Sequence, residues 1–118
     1  MLQPAYSLDE PRREMVLQAI VDRSLQRGWA LIAAHIRTNH VHVILAADAT
    51  PERIMNDLKS YASRVLNHSG LDRPNRKRWA RHGSTRWLRN RQNIETAIRY
   101  AIEKQGDPMA VYVAVDYR

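Results

Sequence analysis

The stretch Trp29-Ala30-Leu31-Ile32-Ala33-Ala34-His35-Ile36-Arg37-Thr38-Asn39-His40-Val41-His42-Val43-Ile44-Leu45-Ala46 decides the fold. Two apolar runs flank a short polar pair, Thr38-Asn39, which suits a tight connection between antiparallel strands. The first run, Trp29 to Arg37, reads as a strand with His35 near its end, and His40 to Ala46 returns as the second. Alternation along a strand then puts Val41, Val43 and Leu45 on one face and His40, His42 and Ile44 on the other. His40 and His42 present two imidazoles side by side, about 7 Å apart. Such a pair is either a structural pair at a strand end or half of a metal site.

Outward from the hairpin, helical periodicity takes over. Asp9-Glu10-Pro11 opens a first helix with a cap, an acid in the first turn and an early proline. Val16, Leu17, Ile20, Val21 and Leu25 are its expected buried stripe, and Gly28 its end. Thr50-Pro51 caps a second helix running to about Asn67, with Ile54, Leu58, Tyr61, Ala62 and Val65 on one side. A flexible stretch from Asn67 to Asn75 follows, then one or two short extended segments around His82-Gly83-Ser84. A last helix runs from about Gln92 to Gln105, capped by Asn90 and stopped at Gly106-Asp107-Pro108. Met109 to Tyr117 is expected to form a terminal strand.

This order of elements resembles an α+β, ferredoxin-like split fold, with an antiparallel sheet covered by helices mainly on one face. A short first strand near Pro4 to Leu8 would complete it. The 118 residues are expected to form a single domain, 44% apolar and 26% charged, which is a globular balance. With no cysteine, disulfide scaffolds, thiolate catalysis and cysteine zinc sites are excluded. Neither a leader-like N-terminus nor an 18-residue apolar run occurs, so a soluble, cytoplasmic protein with no membrane partner is expected.

Charge narrows the partner. Nineteen Lys and Arg against twelve acidic residues give a net charge of +7. The excess is concentrated in Arg73, Arg76, Lys77, Arg78, Arg81, Arg86, Arg89 and Arg91, an acid-free segment that also holds Trp79 and Trp87. Cations can neutralise phosphates and tryptophans can stack bases, so these residues are the expected contacts to single-stranded nucleic acid. A solvated cationic loop whose tryptophans serve the core is the other reading.

On the last helix the apolar stripe is Ile94, Ala97, Ile98, Ala101 and Ile102. Tyr100 falls about 130° from its centre, a large aromatic off the buried face of its own helix. A phenol is a weak nucleophile at neutral pH, but a divalent metal that polarises a phosphate lowers the barrier to its attack. His35 reads as a core histidine ahead of a third imidazole for the pair, Tyr61 as a core tyrosine, and His82 as a turn residue ahead of a phosphate contact. No phosphate-binding glycine loop, Ser-His-Asp arrangement or paired catalytic carboxylates occur.

Arg37-Thr38-Asn39-His40-Val41-His42-Val43-Ile44-Leu45, followed some sixty residues later by Ile98-Arg99-Tyr100-Ala101-Ile102-Glu103, resembles the HUH superfamily. The likeness is to its small single-tyrosine transposases and the REP-associated tyrosine transposases. It spans roughly Trp29 to Gly106. The resemblance implies a metal-dependent transposase that cleaves and rejoins single-stranded or hairpin DNA through a 5′ phosphotyrosine, leaving a free 3′ hydroxyl. It implies Mg2+ or Mn2+ held by His40 and His42, Tyr100 as nucleophile, and a homodimer in which one subunit's tyrosine helix completes the other's site. Where such transposases often carry a third, polar ligand one turn after the tyrosine, this chain has Lys104, which cannot ligate while charged. Glu103, about 60° from Tyr100, and Gln105, about 140° away, are then the candidate third ligands. A noncatalytic single-stranded nucleic-acid-binding module on the same fold is the alternative, and a water-dependent metal nuclease a more distant one.

Overall fold

In the computed structural model, residues 6–73, 76–79, 91–104 and 106–118 are described. Asp9 opens helix α1 (Glu10–Arg27), its carboxylate accepting from the Arg12 backbone N–H at 3.2 Å. Gly28 closes it in the left-handed region at φ 72°, where a side chain would be strained. Two strands follow, β1 (Ala30–Ile36) and β2 (Val41–Ala46), joined by the Thr38-Asn39 turn. Helix α2 (Pro51–Ser69) is capped by Thr50 and ends at Gly70, φ 79°. Helix α3 (Arg91–Glu103), strand β3 (Ala110–Val113) and a 3-10 turn (Val115–Tyr117) complete the order.

Among the described residues, three antiparallel strands in the order β2-β1-β3 and three helices make this an α+β fold. Its element order and sheet are consistent with the ferredoxin-like split arrangement. Strand β1 is central, pairing His35 with His42 on one side and with Val111 on the other. A bulge between Leu31 and Ala33 shifts its register against β2. Directly opposed residues share a face, so Ile36 and Val41 lie on one side and His35 and His42 on the other.

The main core is on the Ile36 side. Val16, Ala19 and Ile20 of α1 and Ile54, Leu58, Ala62 and Leu66 of α2 are buried there, with Val41, Val43 and Leu45 packed against them. The α2 residues recur every four positions, the spacing of a narrow helical stripe. Helix α3 meets the opposite face, where the His35 ring reaches the Ala101 carbonyl. Two helices therefore cover one face and the third caps the histidine side.

Some expectations shift. Leu25 is 75% exposed because it lies about 180° around the helix from Val16, and Ser24 takes the buried position. Tyr61 sits at the core's rim, between the guanidinium groups of Arg23 and Arg64 at 5.2 and 5.6 Å. Residues 6–8, the described part of the expected first strand, carry no strand, although the Leu8 N–H donates to the Thr38 carbonyl at 2.7 Å. The terminal strand is shorter than expected, ending at Val113 before the 3-10 turn. The extended segments expected around His82 lie outside the described residues.

Candidate functional site

Strand β2 holds the histidine pair as alternation requires. The rings of His40 and His42 are 6.3 Å apart between centroids and 11° from parallel. Asn39 Oδ1 accepts from His40 Nδ1 at 2.7 Å, which leaves the lone pair of His40 on Nε2. His42 Nε2 is buried and meets no partner among the described residues. Burial first, then the neighbouring His35, His40 and Arg37, hold His42 below the usual imidazole value. A neutral ring with a buried, unengaged nitrogen is the form in which histidine ligates a metal. The donor set at this corner of the sheet thus fits a divalent cation.

His35, 6.4 Å from His42 across the strand pair, is employed otherwise. It is fully buried; Nδ1 donates to the Ala101 carbonyl at 2.7 Å and Nε2 accepts from the Met109 N–H at 3.0 Å. Because a carbonyl only accepts and an amide N–H only donates, these two bonds fix the ring's tautomer. Neither nitrogen is left for a metal, in keeping with the core reading.

Tyr100 is 60% exposed on α3, one residue before the buried Ala101 whose carbonyl His35 holds. Ala97 and Ala101 face the sheet, and Ile94, Ile98 and Ile102 are half-buried beside them. Glu103 and Lys104 are exposed, and Gln105 lies outside the described residues. Among the described residues no three His, Asp or Glu converge as a metal site, so the pair has no third ligand gathered from its own described chain.

The basic segment divides. Arg73 and Lys77 are exposed. Arg76 lies over the Tyr6 ring at 5.2 Å. Arg78 belongs to the fold rather than to a DNA surface: its side chain is 1% exposed, paired with Asp72 at 3.1 Å and bonded to Asn67 at 2.9 Å. Trp79 is likewise turned inward, donating Nε1–H to Ser63 Oγ at 2.7 Å and packing on the core. Arg81, Arg86, Trp87 and Arg89 lie outside the described residues, as does the side chain of Arg91, whose backbone opens α3.

Asp72 organises the root of this segment. It accepts from Tyr6 Oη at 2.6 Å, Arg12 Nε at 2.8 Å and Arg78 Nε at 3.1 Å. Burial pushes its carboxyl up, but the three hydrogen bonds outweigh that and leave it below the usual carboxylate range. Sequence reading did not single out Asp72, Asn39 or Arg37. The signals were an acid just ahead of an acid-free run, and polar residues adjoining the histidine pair.

The family model "Transposase IS200 like" matches residues 6–100. The chain belongs to the IS200-like transposase family, which gives it a role in DNA transposition and DNA as its partner. The matched span contains His40 and His42 and ends on Tyr100. No curated protein and no solved structure matches. Among the described residues no helix is long and apolar enough to cross a membrane.

Proposed function

We propose that this transposase-family chain is an HUH-type single-tyrosine enzyme, akin to the REP-associated transposases, that cuts and rejoins single-stranded or hairpin DNA. The observation that carries this reading is the buried Nε2 of His42, without a partner among the described residues, beside a His40 oriented by Asn39. That pair shares its sheet face with the helix that exposes Tyr100. His40 and His42 would hold Mg2+ or Mn2+, with Glu103 or Gln105 as the third donor. Bound there, the metal would polarise the scissile phosphate.

Tyr100 Oη attacks the phosphorus, its proton passing to solvent. The new O–P bond forms as the bond to the 3′ oxygen breaks, giving a 5′ phosphotyrosine and a free 3′ hydroxyl. A 3′ hydroxyl reverses the step, so joining needs no nucleotide cofactor. Arg73, Lys77, Arg81, Arg86, Arg89 and Arg91 neutralise the strand's phosphates. An exposed Tyr100, and a histidine pair with no third ligand gathered among the described residues of one chain, favour a homodimer in which the tyrosine helix of one subunit completes the site of the other.

The test is a labelled hairpin oligonucleotide incubated with Mn2+. A denaturation-resistant protein–DNA adduct is expected from the wild type and none from Tyr100→Phe; an adduct that survives the change removes Tyr100 from the role. Lys104, and the lack of a third ligand among the described residues, favour a second reading, a noncatalytic DNA-binding module. It predicts salt-sensitive binding indifferent to EDTA and to His40→Ala.

A further inference from the structure

The four residues leading into Asn39-His40 make a series of contacts that the proposed chemistry leaves unexplained. His35 joins two separate segments, bonding the Ala101 carbonyl in the last turn of α3 and the Met109 N–H just before β3. Arg37, two residues on and therefore on the same face of the chain, donates Nη1–H to the Asp107 carbonyl at 3.0 Å. Its guanidinium lies over Gly106, where an added Cβ would stand 3.3 Å from Nη2. Gly106 is also at φ 87°, a conformation that suits glycine. Thr38 Oγ1 reaches Met109 Sδ at 3.7 Å.

We infer that His35 and Arg37 form a clamp that fixes the C-terminal end of the tyrosine helix to the strand leading into the histidine pair, and that both are positioning residues for attack by Tyr100. The inference rests on the proposed role of Tyr100. Its physical basis is the thin attachment of α3, whose three isoleucines are only half-buried. Two alanines alone bury little apolar area. A helix held so lightly keeps its place through directional contacts, and a buried imidazole with both nitrogens bonded is the stiffest of these. The clamp joins α3 to the segment that sets the direction of His40. Its loss would let the tyrosine helix wander on the sheet that carries it, and so relative to whichever subunit's histidine pair it serves, while leaving the α1–α2 core intact.

The experiment uses the full chain. In His35→Asn the amide nitrogen stands near the Nδ1 position and can keep the Ala101 bond; in His35→Gln the amide oxygen stands near Nε2 and can keep only the Met109 bond. Amide hydrogen exchange in the last turn of α3 is expected to quicken about tenfold or more in His35→Gln and in Arg37→Ala, with α2 unchanged and His35→Asn closer to wild type. In a further variant, Arg37→Lys, which keeps the charge without the planar fork, DNA affinity should hold while adduct formation slows on the order of tenfold to a hundredfold.

Unchanged exchange in folded His35→Gln and Arg37→Ala overturns the clamp. So does a uniform loss of protection that includes α2, which is what a merely structural histidine would give. Should the His35 variants not fold, Arg37→Ala decides by itself, since its side chain lies at the surface. A wild type that forms no adduct defeats the tyrosine reading, and the exchange measurement still decides the clamp.

Discussion

His40 and His42 stack with 6.3 Å between ring centroids and 11° between planes, and the outer ring is held by Asn39 Oδ1 at 2.7 Å. A ligand histidine whose second nitrogen is bonded keeps its orientation when a metal arrives. Asn39→Ala is therefore expected to weaken Mn2+ binding by about tenfold to a hundredfold, the usual effect of removing such a partner. Asn39 is exposed, so the melting temperature should barely change. Calorimetric titration of the protein with Mn2+ checks this, and an unaltered affinity excludes Asn39 as the orienting group.

Lys104 offers the converse test. It is exposed one turn after Tyr100, and its N–H bonds the Tyr100 carbonyl at 3.3 Å. Lys104→Gln replaces a cation with a neutral amide oxygen able to ligate. Mn2+ affinity and adduct yield should both rise. No gain in either would mean that this part of α3 never approaches the histidine pair, within one subunit or between two.

These two residues also show what a linear reading can reach. The hairpin was legible because alternation fixes which residues share a face, and the structure adds the register that sets His35 opposite His42. The stripe on α3 was legible for the same reason at the helical period. His35's double bond was not, since its partners lie 66 and 74 residues along the chain. Arg78 posed a different difficulty: a buried ion-pair arginine and a phosphate-binding arginine look alike within a basic run. Only the local acid, Asp72, distinguishes it.

Arg78 and Lys77, neighbours in sequence, should accordingly fail in different ways. Arg78→Ala removes the most deeply buried of the three donors to Asp72, together with a bond to Asn67, and is expected to cost about 2–3 kcal/mol in urea unfolding. Lys77→Ala should leave the unfolding midpoint in place and reduce the salt dependence of DNA binding by about one counterion. Equal stability losses in the two variants would contradict this division.

The main core sets the largest stability effect expected from an apolar change. Leu66 is fully buried on α2, among Ile36, Leu58 and Ala62. Leu66→Ala should cost about 2–5 kcal/mol through lost burial and the cavity left behind. Denaturant titration measures it, and a loss under about 1 kcal/mol would mean that α2 does not seal the sheet at this position.

Acid sensitivity should trace to Asp72. Its folded-state pKa lies below the unfolded value near 4, so the folded form favours the ionised carboxylate. The resulting stabilisation is fully present above the unfolded value and is lost as pH falls through the lower, folded one. Wild-type stability should therefore decline below about pH 4 as Asp72 takes up its proton and its bonds from Arg12 and Arg78 weaken. Asp72→Asn, which cannot ionise, should be less stable at neutral pH and show a shallower decline in acid. Urea midpoints collected from pH 2.5 to 6 for both proteins give the comparison, and parallel curves across that range would assign the acid limb to other carboxylates such as Asp57, whose pKa its Arg23 and Arg27 partners lower.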